Sequence, residues 1–112
     1  MITEGDVKYV NNRLWSHMPG MIPEHMQVSV VSYVMYGVRP GSFLESLVSG
    51  DFIASALNAD VFNNPNLANI TKFFYFYAPS SCWGTPENYE YWIEQGGYYG
   101  LYEKQMIDKS ES

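Results

Sequence analysis

The segment IPEHMQVSVVSYVMYGV, residues 22–38, decides the fold of this chain. Its apolar side chains recur every four residues, which places them on one face of an α-helix: Met26, Val30 and Val34, with Val31 and Met35 beside them. Pro23 is expected at the first helical position, and Gly37 is expected to end the helix. Five valines in residues 28–38 would also suit a strand. The sequence therefore favours a helix and leaves a strand as the alternative.

Proline, glycine and capping residues divide the rest of the chain into short segments. Ser, Thr, Asp and Asn are preferred N-caps because their side chains accept a hydrogen bond from a free backbone N–H. Such caps predict helices that begin after Thr3, Ser42, Asp51, Asn64 and Thr85. The Asp51 helix is expected over residues 52–57, and Gly96-Gly97 is expected to end the last helix rather than to start another.

The expected fold class is therefore all-α, with five or six short helices in one compact domain. We place the domain at residues 1–107 and expect residues 108–112 to be frayed. A domain of 112 residues and 12.8 kDa is small enough that oligomerisation is a plausible source of additional stability.

Composition excludes several classes of protein. The chain has 12 acidic and 6 basic residues, a net charge of −6, and 17% aromatic residues. Disordered chains show the opposite balance of charge and aromatics, and general nucleic-acid binding needs a basic surface. We find no signal peptide and no apolar run of about 20 residues. We therefore expect a soluble cytoplasmic protein that has no membrane segment.

The residues that could support catalysis are few. His17 and His25 flank a Pro-Gly break and lack metal-ligand spacing on one helix. The acidic residues at 87, 90 and 94 share a helix face that is expected to be solvated. The single cysteine, Cys82, excludes an internal disulfide and is expected to be a buried apolar residue. We predict no catalytic residue, no metal site and no cofactor.

An anion site is one hypothesis for binding. Arg39, Gly41 and Ser42 would place a guanidinium, a backbone amide and a hydroxyl at a helix N-terminus, which suits a nucleotide-like ligand. In the alternative interpretation, Pro40-Gly41 shapes a turn, Ser42 caps the helix, and Arg39 pairs with a nearby acid.

The aromatic residues support a second hypothesis, a protein interface, because Tyr and Trp are enriched where binding energy concentrates. The candidate interface residues are Tyr89, Tyr91, Glu94, Tyr98, Tyr99 and Tyr102 in the C-terminal third, and Phe73 and Phe76 in the preceding helix, which could also mediate self-association. The alternative is a tyrosine-rich core and rim without a partner.

Two motifs resemble a family of small proteins from tailed phages and prophages. They are YGVRPGSFL at residues 36–44, followed by LVSGD at 47–51 and Ala59-Asp60, and YAPSSCWGTPE at residues 77–87, before Trp92. The resemblance spans roughly residues 22–93 and implies a small helical phage protein in the host cytoplasm, without an activity to transfer. The leading expectation is a non-enzymatic accessory protein that inhibits or sequesters a host defence factor by contact. Nucleotide sequestration and a role in phage assembly are the alternatives.

Overall fold

Helices form the regular secondary structure of this chain, so the predicted all-α class is confirmed. The computed structural model describes residues 1–51 and 66–111, with side chains as far as Ile107. In these ranges the helices are α1 (Glu4–His17), α2 (Glu24–Tyr36), α3 (Ser42–Val48), α4 (Leu67–Tyr77), α5 (Pro86–Gln95) and α6 (Gly97–Glu111), and a 3₁₀ turn covers Ser80–Cys82. Within the segment 22–38, residues Glu24–Tyr36 form a helix, so the strand alternative is wrong. The predicted helix over residues 52–57 and the predicted N-cap at Asn64 lie outside the described residues.

Two of the predicted helix starts are confirmed in detail. The Thr3 hydroxyl oxygen accepts from the amide of Asp6 at 3.0 Å, and the Asp6 carboxylate accepts from the amide of Thr3 at 2.9 Å, which is a reciprocal capping box. Thr85 caps α5 through the amide of Asn88 at 3.0 Å. These side chains satisfy backbone donors that a helix N-terminus cannot pair within itself.

Three boundary predictions need correction. Pro23 is the N-cap of α2 rather than its first residue, and Gly41 is the N-cap of α3, so Ser42 lies inside that helix and makes no capping hydrogen bond. Gly97 begins α6 instead of ending α5. Gly96 supplies the left-handed C-cap of α5, φ 87°, and Gly97, although it is left-handed too (φ 71°), is already the first residue of the next helix.

The centre of the core is α2. Six of its residues are buried: Met26, Val30, Val31, Tyr33, Val34 and Met35. Two hydrogen bonds join it to the C-terminal half: the Tyr33 hydroxyl donates to the carbonyl of Cys82 at 2.6 Å, and the indole N–H of Trp92 donates to the carbonyl of Val34 at 3.0 Å. Both bonds are buried, so each satisfies a polar group that water cannot reach.

Helix α6 is the element that the sequence did not predict. Its inner side places Tyr98 and Leu101 against the core, while Met106 and Ile107 remain more than half exposed. Backbone helix continues to Glu111, and fraying of residues 108–112 stays a prediction. No helix in the described part of the chain is long and apolar enough to cross a membrane.

A contact between two glycines sets the position of α6 against α2. Gly37 (φ 70°) ends α2 and Gly97 (φ 71°) begins α6, and both have left-handed backbone. A Cβ on Gly37 would lie 2.8 Å from the Gly97 nitrogen and 2.9 Å from the Trp92 carbonyl oxygen; a Cβ on Gly97 would lie 2.6 Å from the Gly37 nitrogen. The two backbones therefore pack directly on each other, without room for any side chain.

Gly37→Ala is expected to destabilise the protein strongly. The substitution adds left-handed strain of about 1–2 kcal/mol and an overpacking term of about 1–3 kcal/mol. Urea unfolding measures the change in free energy. Gly20→Ala is the matched control, because Gly20 also has a positive φ (83°) but nothing lies within 4 Å of its Cβ position. Equal losses at both positions would contradict the packing argument.

Tyr33→Phe tests the buried hydroxyl. Leaving the Cys82 carbonyl without its donor costs about 1–3 kcal/mol near neutral pH. Burial raises the pKa of Tyr33 well above its ordinary value of 10.0, so Tyr33 stays protonated in the folded state while the unfolded chain ionises. Stability from this group is thus full below about pH 10 and falls as the pH rises further. The loss of stability in alkali should be shallower in Tyr33→Phe; parallel profiles would contradict this assignment.

Candidate protein-contact surface

Two of the predicted interface residues belong to the core instead. Phe73 is fully buried and Tyr89 is 2% exposed, so neither can contact a partner. Phe73 faces inward on α4 together with Ile70 and Phe74, and Tyr89 faces inward on α5 together with Trp92. The interface prediction is wrong at these two positions because the apolar faces of α4 and α5 pack into this chain's own core.

The other aromatic candidates in the C-terminal third lie near or at the surface. Tyr99 on α6 is in ring contact with Tyr36 at the end of α2 (centroids 5.8 Å apart) and with Tyr102 (5.9 Å). Tyr36 is 56% exposed, whereas Tyr98 and Tyr102 are half-buried. Tyr36 is not among the predicted interface residues, because its place beside Tyr99 depends on the long-range contact of Gly37 with Gly97.

A pocket lies where α5 and α6 meet. It is lined by Tyr91, Glu94, Gln95 and Lys104 and has a volume of about 380 Å³. Tyr91 is 49% exposed, and Glu94 and Lys104 are exposed at the rim. Both amide atoms of Gln95 are shielded from solvent and have no hydrogen-bond partner. The pocket thus brings together an aromatic ring, a carboxylate, an ammonium group and an unpaired amide.

We call the exposed side chains of this region the C-terminal contact surface, which is defined by Tyr36, Tyr91, Glu94, Tyr99, Glu103 and Lys104. Acidic residues dominate its surroundings, since Glu87, Glu90 and Glu94 follow one face of α5 and all are exposed. The predicted solvated acidic face is therefore confirmed. The surface combines negative charge with tyrosine rings, which favours contact with a positively charged group.

At the proposed anion site at the start of α3, the Arg39 guanidinium is already occupied by a carboxylate of this chain. Arg39 is bound to Glu90 by two hydrogen bonds, at 3.1 Å and 3.4 Å, and its guanidinium lies 5.9 Å from the centre of the Tyr89 ring. The Glu90 hydrogen bonds raise the pKa of Arg39. Helix α3 is only seven residues long. This geometry matches the alternative interpretation, in which Arg39 pairs with an acid.

A second cluster on α1 and α4 is already internally satisfied. The Arg13 guanidinium donates to the carbonyl of Phe76 at 3.3 Å and lies 5.4 Å from the centre of the Tyr77 ring, and the His17 ring stacks on Tyr77 at 4.0 Å. Both basic groups therefore interact at the C-terminal end of α4, where a helix dipole favours positive charge. We interpret this cluster as a helix-docking contact.

Two further sequence predictions can be placed. Cys82 is fully buried, as predicted, and burial raises the pKa of its thiol, so the thiol stays neutral at physiological pH. Phe76 is 58% exposed on α4, beside Tyr75 at 66%. Phe76 therefore remains available for contact, on a different helix from the C-terminal contact surface. Among the described residues, no group of three His, Cys, Asp or Glu side chains could hold a metal ion.

Comparison of the chain with protein-family models, with curated proteins and with solved structures found no match.

Arg39→Gln is expected to leave the thermal midpoint nearly unchanged, because exposed ion pairs contribute little to stability. We also expect no nucleotide-induced thermal shift that depends on Arg39, since its guanidinium is occupied by Glu90. Differential scanning fluorimetry with mononucleotides and cyclic nucleotides measures both. A ligand-induced shift that is present in the unmodified protein and absent in Arg39→Gln would restore the anion-site hypothesis.

Proposed function

We propose that this protein acts without catalysis, by binding a basic protein through the C-terminal contact surface. The observation that carries the proposal is the exposure of tyrosine rings among carboxylates on adjoining helices. Tyr36, Tyr91 and Tyr99 are 56%, 49% and 37% exposed, and Glu94 and Glu103 are exposed on the same two C-terminal helices, α5 and α6.

Charge supports a partner of opposite sign. The net charge of the chain is −6, and Arg39, a basic residue close to α5, is already paired with Glu90. Complementary potentials accelerate association and reject partners of like charge. A positively charged protein surface is the chemistry that fits this region.

Rigidity supports the same proposal. Helix α5 is fixed to α2 by the buried Trp92 hydrogen bond, and α6 is fixed by the contact between Gly37 and Gly97. A surface that is already ordered loses less conformational entropy when a partner binds. The helices that carry the exposed tyrosines are therefore already in place before a partner binds.

The resemblance to small tailed-phage proteins suggests where such a partner would be found. A phage accessory protein meets host proteins in the infected cell, so we propose a host factor, such as a defence-related or nucleic-acid enzyme with a basic surface. Occupying that surface would inhibit or sequester the factor.

Tyr91→Ala and Tyr99→Ala are expected to abolish capture of the host partner, because aromatic anchors dominate binding energy and each hot spot is worth about 2 kcal/mol or more. Tagged protein is used to recover partners from host lysate at low and at high salt, and the partner's affinity is then measured for each variant. Binding should weaken as salt rises, since the interaction depends on complementary charge.

Tyr75→Ala is the matched control, because it removes the same side chain from the exposed face of α4 and should retain the partner. Equal loss in Tyr75→Ala and Tyr91→Ala would contradict the assigned surface. Absence of any partner whose binding responds to Tyr91 or Tyr99 would overturn the proposed function. A homo-oligomer that dissociates in Phe76→Ala would instead assign contact to α4.

A further inference from the structure

We infer that the pocket between α5 and α6 receives an arginine side chain of the partner. The inference rests on the proposed function for the source of that side chain, and it adds the chemical group that the surface recognises. Four side chains line the pocket: Tyr91, Glu94, Gln95 and Lys104.

The first observation is that the acceptor groups of this pocket are uncommitted. Among the described residues, Glu94 is in no ion pair, Tyr91 is in no ring contact, and the amide of Gln95 has no hydrogen-bond partner. The cluster on α1 and α4 is the contrasting case, because Arg13 and His17 are both engaged with Tyr77. Buried polar groups are normally paired, so the shielded Gln95 amide is unsatisfied and would gain a partner if its side chain rotated toward a group in the pocket.

The second observation is that the available groups match a guanidinium. A carboxylate such as Glu94 accepts two parallel N–H bonds from arginine, and a tyrosine ring such as Tyr91 stacks against its flat face. The side-chain oxygen of Gln95 can accept a further N–H after rotation of its side chain. A volume of about 380 Å³ leaves ample room for one such side chain.

The third observation is the sign of the local field. The pocket lies at the C-terminal end of α5, where the helix dipole favours a cation, and the Glu94 carboxylate lies in its wall. Lys104 contributes the opposing charge at the rim, on a flexible stem that can turn toward solvent. An entering cation competes with the Lys104 ammonium for the Glu94 carboxylate. A guanidinium can donate two parallel N–H bonds to that carboxylate, whereas an ammonium acts as a point charge. This difference is how the site would select arginine over lysine.

The test uses three blocked tripeptides, acetyl-Gly-X-Gly-amide, where X is arginine, lysine or citrulline. Citrulline keeps the shape of arginine but has no charge. Titration is followed by backbone NMR of the full chain. We expect saturable shifts centred on residues 91–95 and 104 for arginine, binding about 10-fold weaker for lysine, and no saturation for citrulline.

Two variants with the same change of charge locate the site. Glu94→Gln should weaken binding of the arginine peptide by about 10-fold or more, while Glu87→Gln, at the other end of the exposed face of α5, should leave it within about 2-fold. Both carboxylates are exposed, so both variants are expected to fold, which circular dichroism verifies. Tyr91→Leu should reduce the preference for arginine over lysine.

Equal binding of arginine and citrulline, or an effect of Glu87→Gln equal to that of Glu94→Gln, would overturn the inference. Binding of an acetyl-Gly-Glu-Gly-amide peptide through Lys104 would also overturn it. A host partner that is captured through Tyr91 and Tyr99 while the arginine peptide does not bind refutes the inference and leaves the proposed function standing. Arginine binding without any host partner refutes the proposed function alone.

Discussion

The direct backbone contact of Gly37 with Gly97 determines where the C-terminal third of the chain lies. It seats the first turn of α6 on the end of α2, and it brings Tyr36 within ring contact of Tyr99. The Trp92 hydrogen bond to Val34 holds α5 against the same helix. The glycine contact and the Trp92 hydrogen bond together hold both C-terminal helices on α2, so that the tyrosines and carboxylates that they present form one surface.

Much of the fold follows from local sequence rules. Thr3 and Thr85 begin helices as their side-chain chemistry requires, and Gly37 and Gly96 end them in left-handed backbone. Buried positions such as Val30, Val34 and Trp92 follow from helical periodicity. Helix α6 was not predicted, because two adjacent glycines normally indicate the end of a helix. In addition, its exposed positions carry Tyr99, Met106 and Ile107, so the helical pattern of apolar residues on its inner face is hard to recognise.

The contact surface was only partly predictable. Tyr91, Glu94 and Tyr99 are exposed at the positions that composition had indicated, but Phe73 and Tyr89 are core residues. Composition reveals an excess of aromatics without showing which of them the core will absorb. Arg39, in the connection between α2 and α3, pairs with Glu90 on α5, and Gln95 on α5 lies beside Lys104 on α6. Both arrangements depend on tertiary packing, which no local motif predicts.

The glycine contact also has a consequence for substitutions. Because α6 is positioned by backbone atoms, the exposed side chains of α5 and α6 contribute little to holding the fold together. Substitutions at Tyr91, Glu94 and Tyr99 should therefore cost the fold little, while Gly37 and Gly97 can each be replaced only by disturbing the contact between α2 and α6. The positions that hold the C-terminal helices in place are therefore different from the positions that give α5 and α6 their exposed chemistry.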